Sequence, residues 1–372
     1  MNKLVLLGGG HSHVVALKLW YQKPLENIEI ILISDVEKTP YSGMLPAHLA
    51  NYYTFDETHI NLVKLAKKYG FKLIIDTVIN IDAINQQVIV KSGQKINYNL
   101  LSIDIGCTPE KSHIMIADNC AIPAKPVPQL LQKWQEIINY CQKNPTQKLI
   151  INIVGGGAGG VELALNMHHR FNQITDNFSI NLLTKGDKLV KIHNDYASYK
   201  LTETLREKRI NIYFNSEVNS IFADHITTTS GLVLSCNYTF LVTNGVGAQW
   251  LKQTDITTDE KGFILIKDTL QSISHSNIFA TGDIATMVNY SYPKAGVFAV
   301  RQGKSLAQNW RNWWQNKPLK SDQPQSLYLS LIGLGGRRAL MIWGYLGFDS
   351  PLLWYWKEFL DRRFIRVYSD SR

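Results

Sequence analysis

Two glycine-rich turns are the parts of this chain best suited to chemistry. The first is Gly-Gly-Gly-His-Ser-His at residues 8–13, which follows an apolar run at residues 3–7 and precedes a stretch able to form a helix. Gly8 permits a tight turn, and Gly10 lets a phosphate approach the backbone. The helix that follows offers free N–H groups and the positive end of its dipole. The turn is therefore predicted to bind the phosphates of a dinucleotide.

The first turn departs from the GxGxxG pattern at its third glycine, where His13 stands. We predict that Gly8, Gly10 and His13 contact the nucleotide. A second apolar run at residues 28–33 ends at Ser34 and Asp35, the place where a ribose-binding acid is expected. Ser34 and Asp35 are therefore predicted to bind the same nucleotide.

The second turn, Gly-Gly-Gly-Ala-Gly-Gly at residues 155–160, completes the pattern with Gly155, Gly157 and Gly160. The next apolar run ends at Lys185. An acid at this place binds the ribose of NADH, whereas a basic side chain can bind the 2′-phosphate of NADPH. A solvated lysine would explain Lys185 equally well, so NADH and NADPH both stay open.

Two strand–glycine–helix units about one domain apart predict an α/β fold with two Rossmann-like, three-layer dinucleotide-binding domains. With 372 residues, the chain is long enough for both. We place the first nucleotide-binding domain at residues 1–125 and 248–316. The second, NAD(P)-binding domain is inserted at residues 126–247, and a basic aromatic tail follows at residues 317–372.

A later motif carries a family resemblance. Asn-Ile-Phe-Ala-Thr-Gly-Asp at residues 277–283 resembles the strand and Gly-Asp pair of the flavoproteins with two dinucleotide-binding domains. Residues 102–109 and 240–247 resemble the shorter motifs that close each nucleotide domain. The resemblance implies FAD and NAD(P)H as cofactors. It assigns Asp283 to the ribitol of FAD and adds Gly282, Gly106 and Gly245 to the cofactor contacts.

The chain is most similar to a narrower group, the pyridine-nucleotide oxidoreductase module often fused to selenide, water dikinase. Thr-Pro-Tyr-Ser-Gly-Met-Leu-Pro at residues 39–46, His-Ile-Asn-Leu at 59–62 and the tail carry this resemblance. It adds Thr39 and Ser42 to the cofactor contacts. Type II NADH dehydrogenases and sulfide:quinone reductases are related groups. Disulfide reductases of this fold carry a cysteine pair, but residues 42–50 contain no cysteine, so dithiol chemistry is not expected.

Two side chains are assigned catalytic roles through the resemblance. Lys294 precedes a helix that starts beside the flavin in the family, where a cation stabilises the reduced ring. Glu162 matches a glutamate near the nicotinamide, although an acid in a first helical turn is also favourable without any catalytic role. Gly296 and Val300 stand where type II dehydrogenases carry glutamines near the quinone. No His, Cys, Asp and Glu grouping has metal-ligand spacing, so no metal site is predicted.

The composition of the C-terminal tail indicates which binding partners to expect. From Arg301 to Arg372 the chain has twelve basic and five acidic residues, which accounts for +7 of its net charge of +9. These residues are interleaved with Trp, Tyr, Phe and Leu, a mixture that suits an anionic membrane surface better than nucleic acid. A cap on the FAD domain or a homodimer contact would explain the tail as well.

The sequence also bears on location. No apolar run is long enough to cross a bilayer, and residues 1–7 do not resemble a signal peptide. Four scattered cysteines fit a reducing compartment. We therefore expect a cytoplasmic protein, or one attached to the cytoplasmic side of a membrane.

These observations predict an FAD-dependent NAD(P)H dehydrogenase that passes electrons to a quinone or another small acceptor. Two alternatives stay open. One is a flavoprotein that oxidises sulfide or selenide, which would depend on a cysteine. The other is a nucleotide-sensing module that binds flavin but turns over little, which the substituted third glycine and the missing glutamines favour slightly.

Overall fold

The computed structural model describes residues 1–118 and 120–369, and both glycine turns lie between a strand and a helix. The first turn leads from strand Asn2–Leu7 into α1, and the second leads from Leu149–Val154 into α6. The α-helices of the described residues are α1 His11–Gln22, α2 Leu45–Leu49, α3 Phe55–Thr58, α4 Leu62–Tyr69, α5 Val127–Lys143, α6 Ala158–Phe171, α7 Asp195–Glu207, α8 Gly296–Trp314 and α9 Pro351–Tyr368. Short 3₁₀ turns are formed by Ser42–Met44, Gln249–Gln253 and Gly282–Ile284.

The first domain is built on a five-stranded parallel sheet. Its strands, in spatial order, are Ile278–Ala280, Leu100–Ile103, Asn2–Leu7, Ile28–Ser34 and Lys72–Ile75. The central strands are almost fully apolar because both faces of the sheet are covered. Helix α8 packs so closely on α1 that a Cβ on Gly303 would lie 2.5 Å from the Cβ of Val15.

The second domain repeats this arrangement with another five-stranded parallel sheet. Its strands, in spatial order, are Ala121–Pro123, Tyr238–Leu241, Leu149–Val154, Phe178–Leu183 and Asn211–Tyr213. The two glycine turns therefore follow equivalent central strands. The predicted α/β fold with two Rossmann-like domains is confirmed.

Smaller sheets complete the two domains. An antiparallel meander in the first domain consists of Val78–Asp82, Gln87–Val90 and Lys95–Asn97. Its counterpart in the second domain consists of Met115–Ile116, Val218–Ile221, His225–Thr228 and Val233–Ser235. The remaining strand pairs are Lys38–Pro40 with His59–Asn61, Thr108–Pro109 with Gly245–Val246, and Ile264–Ile266 with Ala285–Met287.

Two short strands before residue 125 pair with strands beyond it. Met115–Ile116 pairs with Val218–Ile221, and Ala121–Pro123 pairs with Tyr238–Leu241. Thr108–Pro109 pairs with Gly245–Val246. The boundary at residue 125 stays a prediction. Strands of two or three residues carry too little apolar pattern to be assigned from sequence.

The C-terminal segment is folded rather than extended. Strands Leu329–Gly333, Ala339–Trp343 and Leu346–Ser350 form an antiparallel sheet, and α9 follows directly. Ser350 caps α9 by accepting a hydrogen bond from the Leu352 N–H, and Pro351 occupies its first position. No helix among the described residues is both long and apolar enough to cross a membrane.

The C-terminal segment belongs to both hydrophobic cores. Leu353 and Trp354 of α9 lie in the core of the first domain, and Ile332 and Leu340 lie in that of the second. A salt bridge of 2.8 Å joins Arg362 of α9 to Glu57 of the first domain. The segment therefore caps the junction of the two nucleotide domains.

Candidate active site

A cavity of about 390 Å³ lies at the carboxyl ends of the first parallel sheet. Each of the five strands ends beside it, which is where open α/β sheets bind ligands. Its volume is in the range of ordinary small-molecule sites. The predicted cofactor residues that line it are Gly8, Gly10, Ser34, Asp35, Thr39, Ser42, Gly106 and Asp283. Their contact with FAD stays a prediction, but one cavity brings them together.

The first glycine turn leaves no room for side chains. Gly8 has φ +86°, and a Cβ there would lie 2.5 Å from the backbone oxygen of Asp104. A Cβ on Gly10 would lie 2.3 Å from the Asp104 carboxylate. Only glycine fits at these two positions, because any larger residue would push the turn away from the neighbouring strand.

His13 lies behind this turn instead of facing the cavity. Its side chain is fully buried, with Nδ1 2.7 Å from the Gly8 carbonyl oxygen and Nε2 2.9 Å from the Ser102 hydroxyl. Burial lowers the pKa of His13 to about 4, so the ring is neutral at neutral pH. The His13 ring fastens the turn to the adjacent strand, and contact of His13 with the cofactor stays a prediction.

A lysine missed by sequence reasoning lies in the cavity. Lys125, in the crossing between the domains, donates to the Asp283 carboxylate at 2.8 Å. Burial alone would lower the pKa of Lys125, but Asp283 and Cys107 raise it above its ordinary value. Burial opposes ionisation of Asp283, yet Lys125 holds the pKa of that carboxyl below its usual range. Lys125 and Asp283 therefore form an ionised pair. The only sequence signal for Lys125 was its position directly before Pro126.

A second missed residue is Asp104, inside the motif at residues 102–109. Its carboxylate accepts hydrogen bonds from the N–H groups of Ser12, at 2.9 Å, and His13, at 3.2 Å. Burial raises the pKa of Asp104 to about 7, although these two N–H groups lower it. Asp104 thus occupies the start of α1, where a phosphate was expected.

Lys294 and Gly282 do not line this cavity, although both lie near it. The Lys294 ammonium donates to the Ala285 carbonyl and to Thr286 Oγ1, and it lies 4.2 Å from the centre of the Phe263 ring. Burial lowers the pKa of Lys294 to about 8, against the effect of Asp283. The cation that faces the cavity is Lys125, and a catalytic role for Lys294 stays a prediction.

The second glycine turn has the same tight geometry. Gly155 has φ +133°, and a Cβ on Gly160 would lie 1.9 Å from the Gly155 carbonyl oxygen. Gly157 differs, because apart from its two chain neighbours no described atom lies within 4 Å of a Cβ placed there. Open space in front of Gly157 is what the approach of a pyrophosphate requires.

The other residues predicted for the second site lie apart from this turn. Lys185 is exposed just after strand Phe178–Leu183. Gly245 lies at the junction of the domains, where a Cβ would be 2.6 Å from the Cys107 sulfur. Nucleotide contact by Lys185 and Gly245 stays a prediction.

Glu162 lies at the junction between α6 and the C-terminal segment. Its Oε1 accepts a hydrogen bond of 2.8 Å from the Gly333 N–H. Burial raises the pKa of Glu162, and the ammonium of Lys357 on α9 opposes that rise. Lys357 is itself buried and donates to Asp361 at 2.7 Å and to the Gly43 carbonyl at 2.6 Å. The four-residue spacing of Lys357 and Asp361 was the sequence signal for this pair.

Comparison with known proteins agrees with this geometry. The sequence pattern of the family described as pyridine nucleotide-disulphide oxidoreductase matches residues 2–303. A type II NADH:quinone oxidoreductase of Haemophilus influenzae is 25% identical over 262 residues, which cover 62% of this chain and 59% of that protein. A probable NADH dehydrogenase of Dictyostelium discoideum is 24% identical over 295 residues, covering 72% of this chain and 65% of its own. The chain therefore spans less than two thirds of either relative.

Solved structures share the fold over almost the whole chain. The sulfide:quinone oxidoreductase of Aquifex aeolicus superposes with a TM-score of 0.79 at 17% identity, covering 99% of this chain and 92% of its own. NDH2 of Plasmodium falciparum, solved with NADH, gives 0.80 at 15% identity, covering 99% and 97%. At these identities the likeness concerns the fold alone.

Proposed function

The chain belongs to the pyridine nucleotide-disulphide oxidoreductase family, and we propose that it is an FAD-dependent NAD(P)H dehydrogenase that reduces a quinone or another small acceptor. Its membership makes it an oxidoreductase that uses FAD and a nicotinamide nucleotide. Quinone as the acceptor is supported by the relative of Haemophilus influenzae, a type II NADH:quinone oxidoreductase.

One observation carries this proposal. A cavity at the first glycine turn and an open approach at Gly157 of the second turn lie in two domains that a common C-terminal segment joins. A single nucleotide site would need only one such turn. The pair of sites fits transfer between two bound dinucleotides.

When bound, FAD would supply the redox chemistry by accepting a hydride from the nicotinamide and releasing the electrons to the acceptor. Lys125 and Asp283 would then hold the polar part of the cofactor between them. Ser42 and Gly296 define another part of the cavity, where a Cβ on Gly296 would lie 3.6 Å from the Ser42 hydroxyl. Glu162, close to the start of α6, would lie near the nicotinamide.

Anaerobic mixing with NADH and, separately, NADPH tests this function. We expect at least one of them to bleach the visible absorbance of the bound oxidised flavin rapidly. Screening quinones with the reduced protein then identifies the acceptor by the return of that absorbance. A flavin spectrum that neither nucleotide changes would contradict the dehydrogenase. A colourless protein that cannot be reconstituted with FAD would contradict the cofactor as well.

Oxidation of sulfide or selenide is a second candidate, favoured by one specific observation. Cys107 lines the cavity, and its sulfur lies 3.7 Å from both the Lys125 ammonium and the Asp283 carboxylate. Burial raises the pKa of this thiol, which disfavours the reactive thiolate. In the mixing experiment, bleaching by sulfide but not by NADH or NADPH would select this candidate.

We further propose that the C-terminal segment binds an anionic membrane surface. Eight of the described exposed apolar side chains of this segment make up what we call the C-terminal apolar face: Trp343, Tyr345, Leu346, Phe348, Leu352, Tyr355, Trp356 and Phe359. Leu352, Trp356 and Phe359 share one side of α9 with the exposed Arg363. Aromatic rings beside arginine favour the headgroup region, where the rings are buried and the charge stays hydrated.

Leu352→Glu combined with Phe359→Glu is expected to weaken binding to vesicles of phosphatidylcholine and phosphatidylglycerol by about tenfold or more. Each change removes apolar burial and adds a charge that anionic lipid repels. Co-sedimentation measures the bound fraction. Ile84→Glu is the matched control, because Ile84 is 76% exposed, like Leu352 at 77%, but lies in the first domain. Equal binding by all variants would contradict the membrane contact.

A further inference from the structure

The start of α1 is already occupied by a carboxylate before any phosphate binds there. Asp104 accepts hydrogen bonds from the N–H groups of Ser12 and His13 in the first turn of α1. A pyrophosphate bound at this helix end would use the same N–H groups. Asp104 is 4% exposed, and its carboxylate lies directly beneath Gly10. Its other oxygen would be 2.5 Å from a Cβ on Gly282. A bound pyrophosphate and Asp104 must therefore share this helix end.

The cavity is short of positive charge. Among its described lining residues, four are aspartates (Asp35, Asp76, Asp104 and Asp283), and Lys125 is the one lysine. Lys125 is already paired with Asp283. Burial lowers the pKa of His11 to about 4, so this lining imidazole is neutral at neutral pH. A bound pyrophosphate would bring two more negative charges into a cavity that is already lined by aspartates.

None of the described groups packed around Asp104 offers it a cation. From α1, the His13 ring is turned to the Gly8 carbonyl and Ser102, and the Ser12 hydroxyl donates to the Ala299 carbonyl of α8. From the turn Gly282–Ile284, the charged neighbour is Asp283, which disfavours ionisation of Asp104. Like charges at such short range in a buried site repel strongly, and the lowest-energy response is to neutralise one of them.

We propose that Asp104 takes up a proton when FAD binds, so that binding of the cofactor is coupled to pH. The neutral carboxyl removes the repulsion with the pyrophosphate and gains an O–H donor. In the protein without FAD, burial raises the pKa of Asp104 to about 7. Below that pH the group is already protonated and FAD binds without proton uptake. Above it, each binding event takes up as much as one proton, and the affinity falls by up to tenfold per pH unit.

Calorimetric titration of the apoprotein with FAD tests the proposal, which rests on the FAD site of the proposed function. At pH 8, the binding enthalpy is expected to differ between phosphate and Tris, because these buffers release protons with different enthalpies. At pH 6 the two buffers should give nearly the same value. The dissociation constant should rise by up to tenfold per unit between pH 7 and pH 9.

Asp104→Asn provides the matched variant, because asparagine keeps the shape and an oxygen acceptor for Ser12 and His13 but cannot be ionised. It should bind FAD without this proton uptake and, at pH 9, bind more tightly than the unmodified protein. Asp76→Asn, which changes another lining aspartate that has no predicted role in binding, should retain the proton uptake.

Two outcomes separate this proposal from the function on which it rests. Equal enthalpies in both buffers at pH 8, with a constant affinity for FAD from pH 7 to pH 9, would overturn the proton uptake by measurements on the unmodified protein alone. Failure to bind FAD at any pH would overturn the proposed function instead.

Discussion

Gly157→Val is expected to lower the rate of flavin reduction about 100-fold when NADH or NADPH is present at a subsaturating concentration. The amount of bound FAD should stay the same. The protein itself has room for a Cβ here, because apart from the two chain neighbours no described atom lies within 4 Å of it, and the φ of −74° suits any residue. The added methyl groups would instead stand where the nucleotide pyrophosphate approaches. A loss of about 100-fold corresponds to ~2.8 kcal/mol of binding free energy. Anaerobic stopped-flow measurement of the flavin absorbance gives the rate.

Gly159→Ala is the matched control for this variant, two residues further along the same turn. A Cβ on Gly159 would make an ordinary contact of 3.4 Å with the Val242 side chain, so the reduction rate should hardly change. Gly160 is unsuitable, because its Cβ would collide with the Gly155 carbonyl and distort the turn. If Gly157→Val is reduced as fast as the unmodified protein, nucleotide does not bind at the second turn.

Lys357→Met is expected to lower the free energy of unfolding by about 3 kcal/mol, since removing one partner of a buried ion pair leaves the other charge unpaired. Lys357 and Asp361 are 6% and 7% exposed, and the ammonium also donates to the Gly43 carbonyl. Burial raises the pKa of Asp361 even though Lys357 lowers it. Without Lys357, an ionised Asp361 would therefore be strongly unfavourable at this position. Urea unfolding followed by tryptophan fluorescence measures the change.

The double variant Lys357→Met with Asp361→Leu should recover most of this loss, because two apolar side chains can replace a buried pair at little cost. Lys133→Met is the control for losing a lysine from a helical pair. Lys133 and Glu136 are half-exposed, so solvent screens their interaction and it contributes little to stability. A double variant as unstable as Lys357→Met would show that the loss comes from packing and not from the unpaired carboxylate.

Features formed by consecutive residues could be predicted from the sequence. A glycine with positive φ between a strand and a helix is visible in six consecutive residues, and both turns formed as predicted, with φ +86° at Gly8 and +133° at Gly155. The insertion of the second domain at residues 126–247 stays a prediction.

Contacts between residues that lie far apart along the chain could not be predicted from the sequence. Lys125 and Asp283 are separated by 158 residues, and Lys357 lies 314 residues from Gly43. No local pattern encodes such contacts, because they depend on how the finished sheets are stacked. The ammonium of Lys294 donates to Ala285 and Thr286, which are close to it in sequence, and its predicted place at the cofactor stays a prediction.

The contact between Ser12 and Ala299, 287 residues apart in sequence, has a consequence for biosynthesis. The inserted domain has all strands of its parallel sheet once the ribosome has released Leu241. The first domain must wait for its edge strand Ile278–Ala280 and for α8, although its first glycine turn is synthesised at the very beginning. Since domains tend to fold as units during synthesis, the later-encoded part of the protein should become compact first. FAD would then bind as one of the last steps of maturation, and its supply would decide how long the N-terminal strands remain open to proteases and chaperones.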